Sequence, residues 1–454
     1  MLNTIILSRI QFGFTIGFHI LFPTFNLGLA LFLSIMEGVW LKTRNPVYLN
    51  IAKFWTKIFA LTFGMGVVSG IVLSYELGTN FGPFTNAVGG VLGSLFAYEV
   101  LSAFFLEAGF LGVMLFGWDK VGPKLHYAAN LLVMIGTTIS AFWIMSANSW
   151  MQTPAGFDLV QGKYIVTNWW HVIFNPSFPV RYIHMLLAAY VTCSFVIAGI
   201  SAWYLLQQRH IQFAKRCLSF VMVAAVILVP LQIFLGDAVG LEVHKNQPMK
   251  TAAMEAVWQT GPGQPLLLFA IPDQKAQKNL YAISIPKGAS LFNTHSLNGV
   301  LKGLKSVPPS EQPNVLPVFF TFRIMVGIGL LMLAVAITGV VLLIRGKLYT
   351  HRLFLRLCTL VAPLGFVATI GGWLTAEMGR QPWIVYNLMR TADGASVVPM
   401  MHVIISLILF IVVYGIVLSF YLFYLFKVIR KGPEKEEGGK PRLEDERHLF
   451  QYMT

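Results

Sequence analysis

Charged residues are scarce in this 454-residue chain, at 11%, whereas hydrophobic residues make up 56%. With a mean hydropathy of +0.68, this composition excludes an ordinary water-soluble globular protein. Cysteine is also scarce: Cys193, Cys217 and Cys358 form neither a CxxC nor a CxxCH motif, which excludes a disulfide framework and c-type haem attachment. The first apolar segment lacks a small-residue cleavage site, so we expect it to stay as a helix. No internal repeat is visible.

Long apolar runs predict an all-α integral membrane protein. A run of ~20 apolar residues is long enough to cross the hydrocarbon core of a bilayer as a helix. The predicted spans lie at about 15–37, 55–77, 94–117, 126–148, 181–206, 217–241, 318–344, 354–376 and 400–427. The sequence therefore predicts nine transmembrane helices.

The distribution of basic residues predicts the orientation. The net charge of +14 is explained by basic cytoplasmic loops rather than by nucleic-acid binding. One set of short loops carries the residues Lys42, Arg44, Lys53, Lys57, Lys120, Lys124, Arg209, Lys215, Arg216, Arg345, Lys347, Arg352 and Arg356. We therefore expect the N-terminus outside and the C-terminus in the cytoplasm.

This orientation divides the chain into four parts. Helices 1–6 occupy residues 1–241, an outer loop or small subdomain 242–317, helices 7–9 residues 318–427, and a cytoplasmic tail 428–454. The outer connection is too long to be a simple turn and is rich in Pro, Gln and Lys.

Four possible metal ligands are predicted to share one shallow layer beneath the outer surface. His19, His184 and Met325 lie just inside the outer ends of spans 1, 5 and 7, and Glu377 lies at the outer end of span 8. A lone His in a membrane helix can simply form an interhelical hydrogen bond, and a lone Met can simply pack. Arg323, two residues before Met325, suits a haem propionate, and a His with a Met is a known pair of haem ligands.

Two carboxylates on span 3 predict a proton route. Glu99 and Glu107, with Ala103 halfway between them, follow one slightly drifting helix face. Acids at this depth mark proton routes more often than structural pairs. A further set that could extend the route toward the cytoplasm is Asp119, His126 and Ser140.

The outer segment KTAAMEA (250–256) places Lys250 and Glu255 five residues apart. It is either a solvated surface segment or a quinol headgroup site. In the second reading Glu255 takes a proton from a quinol hydroxyl and Lys250 polarises an oxygen.

Together these segments resemble subunit I of the cytochrome bd-type quinol oxidases over nearly the whole chain. The motifs that carry the resemblance are GFHILFP around His19, Glu99 and Glu107, RYIHMLLAAY around His184, KTAAMEA, FRIMVGIG and GWLTAEMGRQPW. The outer loop is short, which resembles the short-loop branch of that family.

The resemblance implies three haems and no copper. A low-spin haem b would lie between His184 and Met325, fed by quinol bound through Lys250 and Glu255. A high-spin haem b and a haem d would have His19 and Glu377 as proximal ligands, and which residue holds haem d stays open.

The resemblance also implies roles for other residues and for partners. Glu99 would lie close to the oxygen-reducing centre and Trp373 between haems, while Arg9, Arg323 and Arg380 would pair with propionates or developing charge. The implied partners are subunit II, with room for a small single-span subunit, ubiquinol or menaquinol, O2 and the lipid bilayer.

The function expected from this reading is a terminal respiratory oxidase of the bacterial cytoplasmic membrane that separates charge without a pump. The competing readings are a haem-copper oxidase or bis-histidine quinol dehydrogenase, and a non-redox proton-coupled transporter. The first class needs clustered or paired histidines, and the second is expected to show repeat symmetry.

Overall fold

The computed structural model describes residues 4–434, and nine helical segments in this range are long and apolar enough to cross a membrane. The predicted all-α membrane fold is therefore confirmed. The helices are α1 (Thr4–His19), α2 (Leu21–Thr43), α3 (Pro46–Asn80), α4 (Gly82–Val88), α5 (Ser94–Glu99), α6 (Phe105–Phe116), α7 (Pro123–Gln152), α8 (Trp169–Ile173), α9 (Phe178–Leu206), α10 (Ile211–Asn246), α11 (Pro248–Glu255), α12 (Gly288–Thr294), α13 (Val315–Ile344), α14 (Arg352–Val361), α15 (Leu364–Met378), α16 (Thr391–Gly394) and α17 (Met400–Lys431).

The helices pack around a central core built from α2, α3, α9 and α10. Trp55, Phe54 and Phe195 are among the large side chains fully buried there. By contrast, α17 exposes most of its apolar side chains, as expected for a helix that faces lipid or another subunit. The predicted orientation of the termini stays a prediction, and residues 435–454 of the predicted tail lie outside the described residues.

The first span is longer than predicted and is broken at its middle. It begins at Thr4 and ends at Thr43, with the break between α1 and α2 at Ile20. Pro23 explains the break, because it has no N–H to donate to the carbonyl of His19 four residues earlier. His19 is thus the last residue of α1, next to a local interruption of the helix.

The third span is not a regular α-helix. Between α4 and α6 it contains two π-helical turns, Gly89–Gly93 and Val100–Phe104. The second turn lies between Glu99 and Glu107, where the sequence predicts a regular helix. A π turn accommodates one extra residue, which changes the direction in which the following side chains point.

The connection predicted at 242–317 is a folded subdomain. It contains α11, α12 and a hairpin, and its apolar residues Ala253, Trp258, Leu267 and Leu304 form a core with Phe319 of α13. The described strands form four antiparallel pairs: β1 (Phe157–Val160) with β2 (Lys163–Val166), β3 (Gly261–Pro262) with β6 (Val300–Leu301), β4 (Leu266–Asp273) with β5 (Lys278–Ile285), and β7 (Trp383–Val385) with β8 (Met389–Arg390).

Candidate haem and quinol sites

His19 has one ring nitrogen in use and one free for a ligand. Its Nδ1 lies 2.9 Å from the hydroxyl oxygen of Ser69 on α3. Ser69 donates its own hydrogen to the carbonyl of Met65 at 2.7 Å, so its oxygen accepts from Nδ1–H. The lone pair of Nε2 then remains available, which is the state of His that binds a metal.

His184 on α9 faces α10. Its Nε2 lies 3.2 Å from the side-chain nitrogen of Gln232, while Nδ1 is buried without a partner among the described residues. A buried ring nitrogen without a hydrogen bond is costly unless another group satisfies it. The position therefore suits a nitrogen that completes its bonding with a cofactor.

A glycine lies against each of the three candidate ligands His19, His184 and Met325. A Cβ added at Gly70 would lie 3.3 Å from Cε1 of His19, and one at Gly236 would lie 3.3 Å from Cε1 of His184. A Cβ at Gly372 would lie only 2.8 Å from Sδ of Met325. Each candidate ligand thus lies so close to a glycine that a larger residue would press against it.

The structure does not join His184 and Met325 by a hydrogen bond. His184 lies against α10, whereas the sulfur of Met325 on α13 faces α15. Trp373 is half-buried beside Gly372 on α15. The unpartnered nitrogen of His184 and the chemistry of the His and Met side chains fit haem, so these residues are retained as its candidate ligands.

Glu377 pairs with a basic side chain and with two amides, and its predicted binding to a haem iron stays a prediction. Its Oε2 accepts from Arg380, three residues further on, and its Oε1 accepts from Asn148 at 2.9 Å and Gln152 at 3.2 Å. Nε and Nη1 of Arg380 are buried and unpartnered in the described residues, so they can receive an anionic group such as a propionate.

Asn148 connects Glu377 to the helix that carries His184. Arg181, one turn before His184 on α9, donates to Oδ1 of Asn148 at 2.5 Å. Sequence reasoning missed Arg181, Asn148 and Gln152, although Arg181 lies inside the RYIHMLLAAY segment. This hydrogen-bonded chain joins two of the candidate ligand helices.

Lys250 and Glu255 have different hydrogen-bond partners, and the quinol site predicted to include both stays a prediction. Lys250 donates to Oε1 of Gln152 at 2.6 Å, and Gln152 in turn donates to Glu377. Burial, followed by the nearby Arg181 guanidinium, lowers the pKa of Lys250 well below its usual value. The two residues diverge because five helical positions correspond to a rotation of about 500°, or 140° around α11.

Glu255 pairs with Arg323 instead of standing free. Nη2 of Arg323 lies 2.6 Å from Oε2 of Glu255, and Asn293 donates to Oε1 at 3.3 Å. Arg323 also donates to the carbonyl of Leu267 at 2.7 Å. The side chain predicted to meet a propionate therefore holds the candidate quinol acid in place.

Glu99 and Glu107 both face α7. Ser140 donates to Oε1 of Glu99 at 2.7 Å, and a Cβ at Gly136, one turn earlier, would lie 2.7 Å from Cγ of Glu107. In a regular α-helix two residues eight positions apart differ by about 80°, whereas one extra residue in a π turn reduces the difference to about 20°. The π turn at Val100–Phe104 thus aligns the two acids.

The residues predicted to extend this route toward the cytoplasm differ in their surroundings. Asp119 is exposed, but His126 is buried and both of its ring nitrogens are satisfied: Nδ1 lies 2.7 Å from Glu37 and Nε2 lies 3.1 Å from the carbonyl of Met114. His126 is therefore buried and hydrogen-bonded, and its predicted part in the route stays a prediction. Arg9 is exposed on α1.

The fold and these sites define an integral membrane protein of the haem-binding, electron-transferring class. Neutral imidazoles and a thioether in apolar helices are ligands suited to haem iron. Carboxylates embedded in the same bundle suit proton transfer.

Known proteins agree with this class. A family model described as cytochrome bd terminal oxidase subunit I matches residues 7–433. The chain therefore belongs to the cytochrome bd terminal oxidase subunit I family. It is a multi-pass protein of the bacterial cytoplasmic membrane and part of a quinol:oxygen oxidoreductase.

Individual relatives cover almost the whole chain. The cytochrome bd-II ubiquinol oxidase subunit 1 of Escherichia coli is 32% identical over 97% of this chain and 99% of its own length. The cytochrome bd ubiquinol oxidase subunit 1 of Bacillus subtilis is 35% identical over 96% and 95%, and the putative cytochrome bd menaquinol oxidase subunit I of the same organism is 29% identical over 96% and 99%. The bd oxidase of Geobacillus thermodenitrificans has a similar structure, with a TM-score of 0.89 and 31% identity over 95% of this chain and 99% of that one.

Proposed function

We propose that this chain takes electrons from quinol near the outer membrane face and passes them to O2 through two haems b and one haem d. Family membership supports the oxidase activity, and the ring nitrogens left without a partner on His19 and His184, together with the thioether of Met325, support the assignment of the ligands. The haems would supply one-electron transfer and the activation of O2. A non-redox transporter is set aside because the family model covers almost the whole chain.

His184 and Met325 are the proposed ligands of the low-spin haem b. His19 and Glu377 are the proposed ligands of the other two, without an assignment of haem d to either. Arg380 holds Glu377 and offers two unpartnered donors to a propionate. Arg181 fixes Asn148, which in turn orients the Glu377 carboxylate.

Glu255 is the proposed acceptor of the quinol proton. Arg323 pairs with one oxygen of its carboxylate and Asn293 donates to the other. Lys250 donates one hydrogen to Gln152 and is the proposed group that polarises a quinol oxygen with another. Whether the substrate is ubiquinol or menaquinol stays open, since the names of the relatives include both.

Protons for O2 reduction are proposed to follow Glu107 and then Glu99, along the side of α6 and α5 that faces α7. Ser140 holds Glu99 at its end of this path. Because quinol protons would leave on the outer side and these protons would come from the inside, charge is separated without a pump. Each elementary charge moved stores ~2.3 kcal/mol per 100 mV.

The exposed apolar side chains of α17 suit a neighbouring membrane subunit or lipid. We propose subunit II as the partner, with room for a small single-span subunit. The short outer loop remains the basis for placing this chain in the short-loop branch.

A reduced-minus-oxidised absorption spectrum of the purified oxidase, followed by acid extraction of the haems, tests the proposal. We expect haem b and haem d together, and loss of the low-spin haem b signal in Met325→Ala. Met332→Ala is the matched control, because Met332 is a buried methionine on the same helix. A wild-type protein without haem absorbance would refute the function, and an unchanged Met325→Ala spectrum would refute the ligand.

A further inference from the structure

Glu76 is an acid that the proposed function leaves without a role. It lies on α3, near the end of the span, and is 0% exposed. Neither of its carboxyl oxygens has a hydrogen-bond partner among the described residues. An unpartnered ionised carboxylate in such a place would be very costly, so whether the group is ionised depends on the charges near it.

The surroundings of Glu76 provide a partner for each protonation state. Thr15 of α1 lies beside the carboxyl group, and its hydroxyl hydrogen is already donated to the carbonyl of Gln11 at 3.0 Å. Thr15 can therefore only accept, which suits a protonated Glu76. The hydroxyl of Tyr414 on α17 is buried, unpartnered and within electrostatic reach of Glu76, and it can donate to the ionised form.

No cation on the packed helices holds Glu76 ionised. From α1 Thr15 lies beside it, whereas Arg9 on that helix is exposed. Tyr414 is the titratable group that faces it from α17, and α4 contributes no titratable residue. The amide nitrogen of Asn80, one turn further on α3, is a second unpartnered donor. Net charge at this position is therefore set by Glu76 itself.

Two helices connect this position to His19. Ser69, which binds the His19 ring, precedes Glu76 by two turns of α3, or about 10 Å. Thr15 precedes His19 by one turn of α1. At about 10 Å and an effective dielectric constant of ~20, one unit charge changes a protonation equilibrium about tenfold.

We propose that Glu76 is a charge-compensating proton site for the haem held at His19. It binds one proton when that haem gains an electron and releases the proton to the solvent when the electron leaves. Glu76 touches neither iron nor substrate, so it is a positioning residue that sets the potential of its neighbour. The site is separate from the Glu99 and Glu107 route, which lies along α7. This inference rests on the proposed haem ligand His19.

Redox titration of the purified holoenzyme over a range of pH tests this proposal. A tenfold coupling corresponds to ~59 mV for a one-electron couple. We expect the midpoint potential of one of the two haems held by His19 and Glu377 to fall by about that amount in the wild type as Glu76 ionises. Glu76→Gln, which is neutral and of the same shape, should lack this fall, and Glu76→Asp should restore it.

Redox-difference infrared spectroscopy provides the second readout. The carbonyl stretching band of a protonated carboxyl group should change with haem redox state in the wild type and be absent in Glu76→Gln. Glu107→Gln is the matched control, because it removes another buried acid on a different helix and should keep the Glu76 band. If the Gln variant follows the wild-type potential at every pH and keeps the band, Glu76 is only a buried structural acid.

The two hypotheses fail in different ways. A wild type without a high-spin haem signal refutes the proposed function itself. A normal haem signal with no effect of Glu76→Gln refutes only the proton site. Should Glu76→Gln fail to assemble, Glu76→Asp decides, because its band must move in frequency if this residue carries the redox-linked proton.

Discussion

Replacing Gly372 with alanine should disturb haem ligation far more than folding. The new Cβ would lie 2.8 Å from Sδ of Met325, whereas ordinary contacts are about 3.5–4.0 Å. The sulfur must therefore move by roughly 0.7–1.2 Å. A free methionine side chain can rotate away, so we expect a change in the free energy of unfolding below about 1 kcal/mol. A sulfur bound to iron cannot rotate, so the low-spin haem spectrum should be altered or lost.

The neighbouring glycine provides the control. A Cβ at Gly371 would lie 3.1 Å from the backbone oxygen of Thr321 and 3.7 Å from Cβ of Met325. Because a backbone atom cannot rotate away, Gly371→Ala should destabilise the fold by about 1–3 kcal/mol. The low-spin spectrum should be retained.

Thermal unfolding in detergent and the reduced-minus-oxidised spectrum measure the two effects on the same preparations. The reasoning predicts opposite orders for the two variants: Gly372→Ala changes the spectrum more, and Gly371→Ala changes stability more. A Gly372→Ala protein with a wild-type low-spin haem band would show that Met325 is not the ligand.

Three further predictions concern buried ionisable groups. Glu107→Leu should slow O2 reduction about a hundredfold while the haem spectrum persists, and unchanged turnover would contradict the proton route. Glu255→Gln should slow quinol oxidation by a similar factor, while a chemical reductant should still reduce the haems at the wild-type rate. Slow reduction by both quinol and the chemical reductant would argue against a role of Glu255 in quinol chemistry. Because burial lowers the folded-state pKa of Lys250, the unfolded chain binds more protons, and stability should rise with pH from the folded value up to the unfolded value near ~10.4. Thermal unfolding of Lys250→Met against pH should show a smaller rise than the wild type, and an equal rise would exclude Lys250 as its source.

Much of the fold can be predicted from the sequence because membrane helices depend on local composition. The apolar runs locate all nine spans within residues 4–434. The break at Ile20 is also readable, since Pro23 stands four residues after His19 in GFHILFP. The N-terminal part of the first span, before residue 15, is not predicted because Arg9 and polar residues lower its hydropathy.

The contacts of the candidate site are harder to predict from the sequence. The Glu377 and Arg380 pair has a helical i, i+3 spacing, and the divergence of Lys250 from Glu255 follows from their separation by five residues. Asn148, however, approaches Glu377 only through packing of α7 against the end of α15. Glu76 could have been singled out as an acid inside the apolar run of span 2, but its missing partners depend on α1 and α17.

The π turn at Val100–Phe104 makes the function of span 3 depend on backbone conformation as well as residue type. A substitution that converted the turn into regular α-helix without a change of length would rotate Glu99 by about 100° relative to Glu107. Glu99 would then turn away from Ser140 although every polar residue of the route is still present. Deletion of one residue together with the turn would leave the two acids about 20° apart, so variants of this segment should tolerate such a compensating deletion better than loss of the π turn alone.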